Sequence, residues 1–152
     1  MPYYYSYSEY LSDCHKLTDL IDEQFDAIIT LSRGGMTLGH TMGEFYDIRE
    51  VYTINTIGYN DKQKLDEVKI FNIPDIKNAK NILILDDIID SGDTMREVME
   101  IMRSHYQDVT FKIAVLFYKP TASIDPDWYV QEAKAWIDFF WTEDLKKVKN
   151  GI

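Results

Sequence analysis

Two periodicities alternate along the chain. Phe25–Leu31, Arg49–Ile57, Asn81–Leu85 and Phe111–Phe117 are short apolar or β-branched runs, and each predicts a strand. Between them, apolar residues recur at helical spacing. Leu11, Leu17, Leu20 and Ile21 mark a first helix down to about Glu23, and further helices are predicted from about Met36 to Phe45 and from Thr94 to His105. Ser6-Tyr7-Ser8-Glu9 reads as a capping box for the first helix, with Tyr5 and Tyr10 at its hydrophobic-staple positions. Ile82 to Leu85 is apolar at every position, as in a parallel strand buried on both faces. Val68–Phe71 suggests one more short strand, and the polar stretch Gly58–Glu67 a mobile loop. From Asp125 onward the pattern is irregular apart from a short apolar piece, Ala135-Trp136-Ile137. Strands alternating with helices predict an α/β fold, a mostly parallel central sheet flanked by helices.

Composition narrows the class. The 152 residues fit one domain spanning 1–152, and 45% hydrophobic residues suffice for a core. With 28% charged residues and no apolar run of eighteen, no transmembrane segment is expected. The start, Met1-Pro2-Tyr3-Tyr4-Tyr5, lacks the basic and apolar regions of a signal peptide. The single cysteine, Cys14, reads as buried packing and suits a reducing cytoplasm. A formal net charge of -10 opposes nucleic-acid binding, so no nucleic-acid partner is expected. Lys146, Lys147 and Lys149 read as a solvated tail. His15, His40 and His105 show no metal-ligand spacing.

The candidate chemistry concentrates at residues 82–94. Four apolar residues run up a buried strand, and Asp86 and Asp87 follow at its carboxyl end, where open α/β sheets bind ligands. Asp90-Ser91-Gly92-Asp93-Thr94 then turns into a helix, so backbone N–H groups and the helix dipole converge on an anion site. Acids beside such a site suit sugar hydroxyls, Mg²⁺ or a developing cation. No Gly-x-Gly-x-x-Gly or Gly-Lys-Ser/Thr pattern is present.

These thirteen positions resemble the phosphoribosyl pyrophosphate (PRPP) signature of type I phosphoribosyltransferases. The resemblance implies that Asp86 and Asp87 hold the ribose hydroxyls, with Asp87 also facing Mg²⁺. It implies that Asp90, Ser91, Gly92, Asp93 and Thr94 wrap the 5′-phosphate. Asp90 would also handle the proton at N7 of the base. Ser32-Arg33-Gly34-Gly35 resembles the family's pyrophosphate loop, where Arg33 and Gly34 bind the leaving group and a non-proline cis peptide often occurs. Gly58-Tyr59 stands where 6-oxopurine enzymes usually have Ser-Tyr, and Tyr59, Lys62 and Lys64 are the candidate lid contacts.

Lys119, Trp136 and Ile137 resemble the base pocket of the bacterial xanthine-guanine branch, as does the Asp127-Trp128-Tyr129-Val130 segment. There Lys119 would donate to the purine O6, Trp136 would stack on the ring, and the Trp136 and Ile137 carbonyls would accept from the base. A lysine donor favours a 6-oxo base over adenine, whose 6-amino group is itself a donor. The branch usually has a further acid beyond its Trp-Ile, on the metal side, and Asp138, Glu143 and Asp144 all stand as candidates. The branch further implies a small hood built from the chain ends, a homo-oligomer (dimer or tetramer), and PRPP plus a 6-oxopurine as substrates.

Three other readings compete. A PRPP- or nucleotide-sensing regulator on the same fold would need a nucleic-acid-binding element. A transferase for adenine, orotate or uracil is disfavoured by Lys119 and Trp136. A phosphatase built on Asp86-Asp87 would need an aspartate nucleophile where Ser32-Arg33 sits.

Overall fold

The structure is a computed structural model and describes residues 1–58 and 68–151. Its elements are β1 (Tyr3–Tyr5), α1 (Tyr7–Leu20), β2 (Ala27–Ser32), α2 (Met36–Tyr46), β3 (Val51–Ile57), β4 (Lys69–Phe71), β5 (Asn81–Ile89), α3 (Asp93–His105), β6 (Thr110–Tyr118), β7 (Trp128–Glu132), β8 (Ile137–Phe139) and α4 (Phe140–Lys149). The main sheet has the order β4-β3-β2-β5-β6-β7. All its pairs are parallel except β3 with β4. The α/β expectation is therefore borne out.

From β2 the chain steps outward through α2 to β3. It then returns to the other side of β2 as β5 and continues through α3 to β6. Crossovers of one hand, stepping in opposite directions, put the two helices on opposite faces. Accordingly Met95, Val98, Met99 and Met102 of α3 pack with Ile29, Leu31, Ile82 and Ile84. Leu38 and Met42 of α2 and Leu17 of α1 pack with Ile28, Leu83, Leu85 and Leu116 on the other face. Residues 82–85 are fully buried, as their unbroken apolar run demands. The reversal of strand order falls between β2 and β5, the place where such sheets open a crevice for ligands.

Ser6 caps α1 as its spacing predicts. Its Oγ accepts from the Glu9 N–H at 3.1 Å, and Glu9 Oε2 accepts from the Ser6 N–H at 2.9 Å. Replacing Ser6 by alanine should cost about 1 kcal/mol of stability, read as a lower urea midpoint at unchanged slope. Tyr5 and Tyr10 are both buried. Tyr5 packs edge-on against Phe117 and Phe139, and Tyr10 lies against Phe140 and Trp141. Cys14 is buried, in keeping with a packing role.

Three expectations need correction. The segment after Asp125 is not irregular: it supplies β7, β8 and α4. In β7 only Trp128 and Val130 face the core, a period too short to stand out in an edge strand. β8 exists because Tyr3–Tyr5 pairs in parallel with Ile137–Phe139, a contact between the two ends of the chain that no local pattern encodes. α4 has no side-chain N-cap bond and is seated by Phe140 and Trp141 on the α1 tyrosines. Lys146, Lys147 and Lys149 are solvated as expected, but they form its last turn, where cations complement the helix dipole, and not a tail. Finally, β5 runs on to Ile89, so Asp86 and Asp87 lie within the strand instead of leaving it. Continued pairing of Asp86 with Val115 and of Ile88 with Phe117 carries it past the acids.

Candidate functional site

The carboxyl ends of β2 and β5 bring the two loop motifs together. A cavity of about 650 Å³ opens there, lined by Arg33 and Gly34 from the first loop and by Asp86, Asp87, Asp90, Ser91, Gly92 and Thr94 from the second. The peptide bond between Ser32 and Arg33 is cis. Gly34 passes so close to Asp87 that a Cβ there would stand 2.7 Å from the Asp87 carboxylate. Gly92, the N-cap of α3, has φ 88° and sits against the Ser123 backbone. A side chain there would be strained twice, by the left-handed backbone and by the crowding. Ser123 locks the turn, donating its N–H to the Ser91 carbonyl at 2.7 Å. The first-turn N–H groups of α3 have no partners within the helix, and the cavity lies at that end.

Asp86 and Asp87 carry opposing demands. Burial pushes the Asp86 carboxyl well above the usual carboxylate range, and the neighbouring Asp87 charge pushes it further. Burial raises Asp87 as well, while a hydrogen bond from Asp86 pulls it back. Among the described residues neither acid has a cationic partner within ion-pair distance. Adjacent hard oxygen donors without a counter-charge fit a divalent cation that takes its remaining ligands from phosphates and water.

A second cavity of about 480 Å³ adjoins the first and shares Asp87, Ile88 and Asp90 with it. Its walls include Lys119, Trp136 and Ile137. Lys119 Nζ lies 2.6 Å from Asp90 Oδ1, because the ends of β5 and β6 run side by side. Trp136 is 73% exposed, so its ring is an open platform and not part of the core. Ile137 is buried and forms part of the wall. The Trp136 carbonyl accepts from the Tyr3 N–H at 2.8 Å, which occupies one of its two lone pairs.

Residues 6–147 match the model of the phosphoribosyl transferase domain. The chain belongs to this family. The phosphoribosyltransferase is 31% identical over 127 residues to a xanthine-guanine phosphoribosyltransferase of Cereibacter sphaeroides, covering 81% of this chain and 72% of the relative. It superposes on the xanthine-guanine-hypoxanthine phosphoribosyltransferase of Helicobacter pylori with a TM-score of 0.91, at 39% identity and over 99% of both chains. A purine phosphoribosyltransferase of Pyrococcus horikoshii follows at a TM-score of 0.77 and 29% identity, over 92% of this chain and 93% of the other. The resemblance read from residues 82–94 is thereby borne out.

Most residues singled out in the phosphoribosyltransferase's sequence converge on the two cavities, but not all. The Asp93 side chain is turned away toward Arg96, at 3.3 Å, and Ser123. Tyr59, Lys62 and Lys64 lie outside the described residues, and Gly58 lines the first cavity. Of the three candidate acids, Asp138 and Glu143 line the second cavity. Asp144 does not: it accepts from the Tyr4 hydroxyl at 2.7 Å and pairs with Lys147. Sequence reasoning missed Asn55 and Thr56 on the first cavity, and Thr142 and Lys146 on the second. Recognising residues 140–149 as a helix would have placed Thr142 and Glu143 one turn before Lys146 on the same side.

Proposed function

We propose that the protein joins a 6-oxopurine base to the ribose of PRPP, releasing pyrophosphate, as a purine-salvage enzyme that uses Mg²⁺. The observation that carries this reading is the junction of the two cavities at Asp87, Ile88 and Asp90. One cavity has the glycines, hydroxyls and helix terminus that hold phosphates. The other has an open aromatic face and a lysine. A reaction between a sugar phosphate and a flat heterocycle needs both, meeting where the bond forms.

In this reading Ser91, Gly92 and Thr94 hold the 5′-phosphate at the start of α3, with Asp93 contributing backbone only. Arg33 and the backbone at Gly34 hold the pyrophosphate. Asp86 and Asp87 position the ribose hydroxyls, and they are also the residues that would face Mg²⁺. The bound cation would neutralise charge on the departing pyrophosphate. The bond from C1′ to the pyrophosphate oxygen breaks as N9 of the purine bonds to C1′ from the opposite face. The positive charge that develops on the ribose lies beside carboxylates and phosphates, which stabilise it. Asp90 accepts the proton that the base must lose. Lys119 has three N–H donors; one meets Asp90, and the others are available to the 6-oxo group. The ring stacks on Trp136. Tyr59, Lys62 and Lys64 would close over the pyrophosphate and exclude water, which would otherwise consume PRPP. Cytoplasmic location and assembly into a dimer or tetramer belong to the same reading.

The test is direct. The protein is mixed with PRPP, Mg²⁺ and one base at a time: guanine, xanthine, hypoxanthine, adenine, orotate or uracil. Nucleotide should form with one or more of the first three and hardly at all with the others. PRPP binding without any product would instead favour a PRPP-sensing role.

A further inference from the structure

The second cavity contains two bonded polar pairs on different elements, and the reaction described above uses only one. Asp90 and Lys119 stand at the ends of β5 and β6. Glu143 and Lys146 stand one turn apart on α4, with Lys146 Nζ donating to Glu143 Oε1 at 2.9 Å. The Glu143 side chain is only 28% exposed, unusual cover for a charged residue in the first turn of a peripheral helix. The Lys146 side chain is 63% exposed.

A 6-oxopurine has two polar regions to satisfy. The 6-oxo and N7 side meets Lys119 and Asp90, which leaves the C2 side for the α4 pair. The Trp136 carbonyl, which accepts from Tyr3 in the β1–β8 ladder, keeps one lone pair for that side, and the charged pair on α4 adds side-chain partners to it. The candidate bases differ on the C2 side: guanine carries a 2-amino donor, xanthine a 2-oxo acceptor (with a proton on N3), and hypoxanthine neither substituent. A carboxylate and an ammonium in contact present one partner for each.

We propose that Glu143 and Lys146 read the purine 2-substituent, Glu143 accepting from the 2-amino group of guanine and Lys146 donating to the 2-oxo group of xanthine. This rests on the base-pocket reading of the second cavity. The pair lets one pocket take both bases, since whichever partner is not used by the base stays neutralised by the other.

The test is kcat/KM for guanine, xanthine and hypoxanthine in the wild type, Glu143→Leu and Lys146→Met, both replacements being good helix formers. Losing a hydrogen bond to a charged group should lower the guanine-to-hypoxanthine ratio by about tenfold in Glu143→Leu. The xanthine-to-hypoxanthine ratio should fall by about as much in Lys146→Met. Because hypoxanthine lacks the 2-substituent, each ratio corrects for general damage to folding or turnover. Ratios unchanged in both variants would make the pair an ordinary helix-surface ion pair and overturn the proposal. Product from none of the three purines with the wild-type protein would overturn the transferase reading itself.

Discussion

Replacing Asp90 by alanine should lower kcat by about 10²–10⁴-fold, the range for losing a proton-transfer group, while PRPP affinity changes little. Asp90 is the polar side chain common to the phosphate cavity and the base cavity that also bonds the base-pocket lysine. Its carboxylate therefore stands where, in the proposed reading, the purine would meet the ribose. In the proposed reading the phosphate is held instead by backbone at Ser91 and Gly92 and by Thr94, which the substitution leaves alone. Asp90→Asn separates two roles. Asparagine still accepts a hydrogen bond from Lys119 but cannot take a proton at neutral pH. If Asn behaves like Ala, the proton is what matters. Recovery of most of the rate would mean that Asp90 only positions Lys119. A parallel fall of turnover and PRPP affinity, measured by calorimetry, would reassign Asp90 to ligand binding.

The second large effect is expected from a residue with no side chain. Gly34→Ala places a Cβ 2.7 Å from Asp87 Oδ2 and 2.9 Å from its Cγ. Atoms cannot remain at that separation, so the carboxylate must move or the loop must retreat. Asp87 lines both cavities, and the loop carries Arg33, so either response misaligns the reacting groups. Displacement on the scale of an ångström costs about 10²-fold in rate. The loss should appear in kcat/KM for PRPP, with the thermal midpoint nearly retained because the change lies in the loop at the carboxyl end of β2 rather than in either core. Wild-type kinetics in Gly34→Ala would show that the close approach of loop and acid is incidental.

The two chain ends show how much of this molecule can be read locally. The capping box at Ser6 and Glu9 was legible because it closes within a single turn. The partner of Tyr3–Tyr5 was not, because β8 lies more than a hundred residues away and is three residues long. Without β1 to pair with, Ile137–Phe139 has no reason to extend. Without the tyrosines of α1 to cover, Phe140 and Trp141 have no reason to start a helix. For that reason Lys146 reads as a tail residue and Glu143 as an unassigned acid, although both line the second cavity.

The sequence by itself determined the α/β alternation, since burial on one or both faces dictates each element's period. It also marked the candidate phosphate-binding turn, since an acid pair, a glycine and hydroxyls at a strand end are contiguous in the chain. Only the tertiary structure decided which separate segments share a cavity. Parallel strands join residues far apart in sequence, so the meeting of Arg33 with Ser91, of Asp90 with Lys119, and of Trp136 with α4 depends on sheet order. That order is set by which faces bury best against each other, a property of the whole chain and of no segment within it.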